Sequence, residues 1–157
     1  LAARLGCWFH DADDTIEART QRSVREIFAA DGEDAFREIE ANVMADLLSS
    51  STPAVIAAGG GAVVVESTRK LLCEPDVFVV WLTATPEFLA SRLSQKPHRP
   101  LLDDDPVESL RRLAEARADW YAEVADATFD VQPMHHAAPK PEAKENIATA
   151  IAAMVPA

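Results

Sequence analysis

The chain is 157 residues long, 48% hydrophobic and 26% charged, which supplies one real core and leaves little room for two full domains. Its 15 Lys and Arg against 26 Asp and Glu give a net charge of −11, so neither nucleic acid nor an anionic membrane is an expected partner. No apolar run approaches the roughly 20 residues of a membrane span, no charged-then-apolar leader opens the chain, and the lone Cys7 and Cys73 suit a reducing, cytoplasmic setting as small apolar fillers.

In chain order, Leu1 to Gly6 reads as the last turn of a helix with glycine as its stop. Cys7-Trp8-Phe9 predicts a short strand that enters an acidic loop, His10 to Asp14, with helix from about Thr15. Ser23 and Glu26 have capping-box spacing for a helix that carries Val24, Ile27 and Phe28 and ends near Gly32. Phe36, Ile39, Val43 and Leu47 then recur at helical spacing until Pro53. Ala54 to Ala58 is wholly apolar, as a strand of a parallel sheet would be, and runs into Gly59-Gly60-Gly61. A helix over Glu66 to Leu72 precedes the clearest strand, Val77 to Leu82.

Thr85-Pro86-Glu87 has the cap, proline and acid of a helix start, and that helix carries Phe88, Leu89, Arg92 and Leu93. A long loop rich in proline and charge, about 94–105, follows and has the length of a functional lid. Pro106 opens a helix through Tyr121, Ala127 to Val131 is the last strand, and Gln132 to Pro141 reads as a proline-rich connector. Ile147, Ile151 and Met154 give a closing helix one apolar face. Strands alternating with helices predict a three-layer α/β/α domain with a parallel sheet, spanning 1–157. Ligands in such folds sit beyond the carboxyl ends of the strands.

Several residues there carry chemistry. Asp11 and Asp13 follow the first strand, and if the backbone stays extended both carboxylates face one side and can share a hard cation and a hydroxyl. The alternative is a solvated acidic loop that caps the next helix. The glycine triplet lets a ligand approach the backbone closely, or is a plain turn; it fits neither the dinucleotide fingerprint nor a Gly-Lys-Ser/Thr phosphate loop. Arg37 and Glu40 share a helix face, by default as a surface ion pair. Arg117 falls on the stripe Leu110, Ala114, Arg117, Tyr121, where a buried guanidinium calls for a carboxylate from the protein or from a ligand. The histidines, His135-His136 among them, show no ligand spacing, and no zinc site is assigned.

The order and spacing of these groups resemble the shikimate kinase family. Arg37, Glu40 and Met44 precede Val55-Ile56-Ala57-Ala58-Gly59-Gly60-Gly61-Ala62-Val63 as in that family's motif, and the flanking segments agree. These are Asp11-Ala12-Asp13, Gly32-Glu33 with Phe36-Arg37, Arg99-Pro100-Leu101-Leu102, and Arg117 with Tyr121, over roughly residues 1–131. The resemblance implies a fold like that of P-loop nucleoside-monophosphate kinases, with strand order 2-3-1-4-5. It also implies ATP-dependent phosphorylation of the 3-hydroxyl of shikimate by a monomer, with magnesium.

By the same resemblance Asp13 holds the reacting hydroxyl, Asp11 holds magnesium through water, and Arg37, Arg117 and Gly59, Gly60 and Gly61 bind shikimate. Glu40 steadies Arg37, the lid residue Arg99 meets the phosphates, and Arg92 packs on adenine. The family's phosphate loop and first strand have no counterpart here, because Leu1 to Gly6 matches the end of the helix that follows them. The expectation is therefore an N-terminally incomplete stretch of a kinase; a non-catalytic binding or regulatory module of the same fold is the alternative. A gluconate-kinase-like enzyme is a third reading, disfavoured by the set of Arg37, the glycine triplet and Arg117.

Overall fold

The structure is a computed structural model that describes residues 1–93 and 105–156. The chain divides into two compact units, Gly6–Val77 with Ala2, and the part from Phe78 onward with Leu1 and Ala3–Leu5. The opening helix α1 (Ala2–Leu5) stops where Gly6 adopts φ +66°, as expected of a glycine just past a helix end.

In the Gly6–Val77 unit, β1 (Trp8–Asp11) pairs in parallel with β2 (Ala54–Ala57), from Trp8 opposite Ala54 to Asp11 opposite Ala57. The anticipated acidic loop is absent: the strand runs to Asp11, and α2 (Ala12–Thr20) starts at the next residue. Asp11 is extended and its carboxylate accepts from the backbone N–H of Asp13 (3.0 Å) and Asp14 (3.4 Å). One side chain thus makes the turn that a loop would otherwise make, and Asp13 and Asp14 fall in the first helical turn, where acids are favoured.

The capping box at Ser23 forms as its spacing predicts and opens α3 (Val24–Leu48). Gly32 interrupts that helix with φ +85° and ψ 179°, a backbone that other residues resist, so two helical stretches meet at a kink. The stripe expected along both stretches forms the core of the unit together with Ile16 of α2: Ile16, Ile27, Phe36 and Val43 are buried, with Val24, Phe28, Ile39 and Leu47 packed against them. A single 3-10 turn (Ala62–Val64) and α4 (Glu66–Leu72) complete the unit.

The second unit holds β3 (Val80–Thr83), α5 (Pro86–Leu93), α6 (Pro106–Val124), β4 (Ala127–Asp130), α7 (Gln132–Ala137) and α8 (Lys140–Ala152). β3 and β4 are parallel, Val80 opposite Ala127 and Thr83 opposite Asp130. β3 starts later than the apolar run from Val77 suggests. Just ahead of it, the Val79 N–H donates to the Asp126 carboxylate (2.7 Å) instead of to a strand carbonyl. Thr85 accepts from the Phe88 N–H and Asp105 from the Glu108 N–H, each starting its helix as expected.

Gln132 to Pro141 is not a connector. It contains α7 and the first two residues of α8, with Pro133 and Pro141 in first turns, where proline has no hydrogen bond to lose. On α8, Ala143 and Ile151 are buried, whereas Met154 lies past the helix end and is exposed. The architecture is α/β with parallel strands. Among the described residues the strands form two parallel pairs, β1 with β2 and β3 with β4.

Candidate active site

Arg37 and Glu40 lie on α3 one turn apart and form an ion pair of 2.6 Å between Nη1 and Oε2. The pair is not on the surface. Arg37 is 8% exposed and Glu40 2%, because the glycine-containing segment covers them. The other edge of the guanidinium, Nε and Nη2, donates to Glu33 Oε1 at 3.3 and 3.1 Å. The Phe36 ring centroid lies 5.2 Å and the Phe28 centroid 6.0 Å from Arg37 Cζ, so the aromatic pair of the core also seats the cation.

The glycines follow β2 at its carboxyl end. A side chain at Gly61 would collide with Cζ and both Nη atoms of Arg37. One at Gly59 would lie 3.3 Å from Glu40 Oε1 and 4.0 Å from Asp13 Oδ1. Neither glycine has positive φ, so space rather than backbone freedom requires them. Asp13, Arg37, Glu40, Gly59 and Gly61 are thereby brought to one place in the Gly6–Val77 unit, and Gly60 sits between the two glycines.

Asp11 is beside this group but in a different role from the extended alternative. With Asp13 already helical, the two carboxylates do not share one side as they would on a strand, and one oxygen of Asp11 is taken by the helix cap. Its remaining acceptor capacity fits an outer contact with a hydrated cation, since magnesium keeps most of its waters and needs few carboxylates. It does not fit a closed protein cage.

In the second unit Arg117 stands on a half-buried stripe. Leu110, Arg117 and Tyr121 are partly covered and Ala114 is exposed, while the buried residues of α6 are Ser109 and Val124. Tyr121 stacks on Trp81 of β3 with centroids 5.1 Å apart, which anchors that end of the helix. Arg92, in the last turn of α5, lies 4.7 Å over the Phe88 ring. Arg99 and the lid 94–104 lie outside the described residues.

Arg92 and Phe88 line an open concavity with Ser91, His135, His136 and Lys140. Both histidine rings lie 5.7 Å from Phe88. Burial first, and then the charges of Arg92, Lys140, His136 and Lys144, push the His135 imidazole below its ordinary pKa. Its Nδ1 is buried without a hydrogen-bond partner. Sequence reasoning gave no role to Glu33 or His135. Glu33 is signalled by its four-residue spacing from Arg37 on a helix, whereas nothing in the sequence around His135 points to Phe88, which is distant along the chain.

Residues 1–155 match the family model described as shikimate kinase. The chain belongs to the shikimate kinase family. A shikimate kinase of Caulobacter vibrioides is 52% identical over 124 residues, covering 78% of this chain and 61% of the relative. One from Ruegeria pomeroyi is 44% identical over 140 residues, covering 85% and 71%. The chain thus spans less than two thirds of the length of the first of these. Among solved structures, the shikimate kinase from Acinetobacter baumannii in complex with shikimate superposes with a TM-score of 0.83 at 30% identity, covering 98% of this chain and 81% of that one. The expected fold class is therefore the right one for this member of the shikimate kinase family.

Proposed function

We propose that the chain belongs to an enzyme that transfers the terminal phosphoryl group of ATP to the 3-hydroxyl of shikimate. The supporting observation is the buried Arg37–Glu40 pair pressed against the glycine triplet beside Asp13. A fixed guanidinium with a planar fork suits a carboxylate, which shikimate carries. The triplet leaves room for the ring against bare backbone. Asp13, exposed in the first turn of α2, is the acceptor for the hydroxyl proton and orients that oxygen toward the phosphoryl donor.

The same reading gives Arg117 to shikimate, Arg92 to the adenine base and Arg99 to the phosphates. Asp11 is the residue proposed to hold a magnesium hydration shell; the ion supplies charge neutralisation at the phosphates. Local arginines on a protein of net charge −11 account for how an acidic chain binds an anionic substrate.

The test is shikimate binding by calorimetry, together with shikimate-dependent ADP release once a strand and Gly-Lys-Ser/Thr phosphate loop are joined ahead of Leu1. Asp13→Asn is expected to lower ADP release by about 100-fold or more while leaving shikimate bound within several-fold. ADP release that ignores this substitution, or a chain that binds no shikimate, refutes the assignment.

A further inference from the structure

Arg37 offers five N–H donors in one plane, and their use is unequal. Nη1 is committed to Glu40 Oε2. Nε and Nη2 form the edge that normally grips a carboxylate with two parallel hydrogen bonds. Here both converge on one oxygen of Glu33, at 3.3 and 3.1 Å. The faces of the guanidinium are crowded: a Cβ at Gly61 would overlap Cζ and both Nη atoms, and the Phe36 and Phe28 rings lie 5.2 and 6.0 Å from Cζ. The Nε–Nη2 edge, which a ligand carboxylate would grip with two hydrogen bonds, is the edge Glu33 holds.

The two acidic partners differ in how firmly they are placed. The Glu40 side chain is 3% exposed, whereas that of Glu33 is 41% exposed and can swing into solvent. Glu33 and Glu40 together already outweigh the single charge of Arg37. A third carboxylate added to that cluster would meet net repulsion at short range.

We infer that Glu33 is an internal stand-in for the substrate carboxylate, which must displace it from Arg37 to bind. This rests on the proposed reading of Arg37 as the shikimate anchor. The exchange keeps the guanidinium paired in both states, so the buried cation is never left without an anion. It also makes the site demand an acid: an uncharged polyol cannot replace the charge it expels. Glu33 is thus a specificity-determining residue that lowers affinity for the ligand it selects.

Shikimate affinity of the full chain, measured directly by calorimetry, separates this from a supporting role. Glu33→Gln keeps the shape and removes the charge, and Glu33→Ala removes the reach as well. Both are expected to bind shikimate about 2- to 10-fold more tightly, the worth of a partly exposed charged pair. If Glu33 instead holds Arg37 in position, both variants bind equally or more weakly, and the inference is overturned. Glu33 opens the helical stretch after the kink at Gly32, so melting temperatures are recorded to confirm that each variant is folded. Failure of the unmodified protein to bind shikimate would instead remove the anchor reading, and this inference with it.

Discussion

The two units treat their arginines differently. In the Gly6–Val77 unit, Arg37 is sunk against aromatic rings and glycines and is ion-paired on both edges. In the second unit, Arg92 lies over the Phe88 ring in an open concavity, and Arg117 occupies a half-covered helix face. A buried charge is fixed in place before any ligand arrives, which is useful for orienting a small molecule but makes the fold depend on its partners. A half-exposed arginine keeps part of its hydration and so costs little to hold.

The contrast is broken most sharply by Glu40→Ala. It leaves the guanidinium of Arg37 buried beside only the exposed Glu33, and loss of one member of a buried pair costs on the order of 3–5 kcal/mol. Thermal denaturation should show a drop of roughly 6–20 °C. Arg92→Ala in the second unit should cost under about 1 kcal/mol. Equal losses would mean that the two environments are energetically alike.

The glycines sharpen the comparison within the first unit. Gly61→Ala drives a methyl group into the Arg37 guanidinium, which its ion pairs and rings hold still, so about 1–3 kcal/mol of stability and most shikimate affinity should be lost. Gly59→Ala meets only Glu40 Oε1 at 3.3 Å and should be the milder change. Denaturant titration with parallel binding measurements orders the two, and a reversed order contradicts the geometry.

The smallest effect is with pH. His135 has its pKa held below 6.5 in the folded state by burial and neighbouring cations, so the unfolded chain takes up that proton first as pH falls. Stability contributed there declines as pH drops below 6.5. Glu26 is shifted down from 4.5 by its hydrogen bonds to Ser23 and by Arg22, so its contribution is present above that value and is lost only in stronger acid. The second unit should weaken before the first on acidification. His135→Leu should flatten the earlier stage of the stability–pH curve and Glu26→Gln the later one.

Much of this was legible from local spacing. The box Ser23–Glu26, the start at Thr85-Pro86-Glu87, the stripe Phe36, Ile39, Val43, Leu47 and the stop at Gly6 each depend on groups within one turn or two of each other. Family spacing also picked out Asp13, Arg37, Glu40 and the glycines as a set. Misreadings arose where two readings share one local pattern. Asp11 to Asp14 is polar and charged whether it is a loop or a cap with the first turn of a helix. Pro133 and Pro141 break a helix interior but open a helix equally well.

What the amino-acid order by itself determined is therefore the succession of elements, their starts and stops, and which side chains carry charge. Only the tertiary structure decided that the Arg37–Glu40 pair is buried, that Gly61 has no space for a methyl group, and that His135 meets Phe88. Hydrogen bonds along a helix are written in neighbouring residues, whereas burial is made by segments distant in the chain folding over one another, and no short window of sequence contains both.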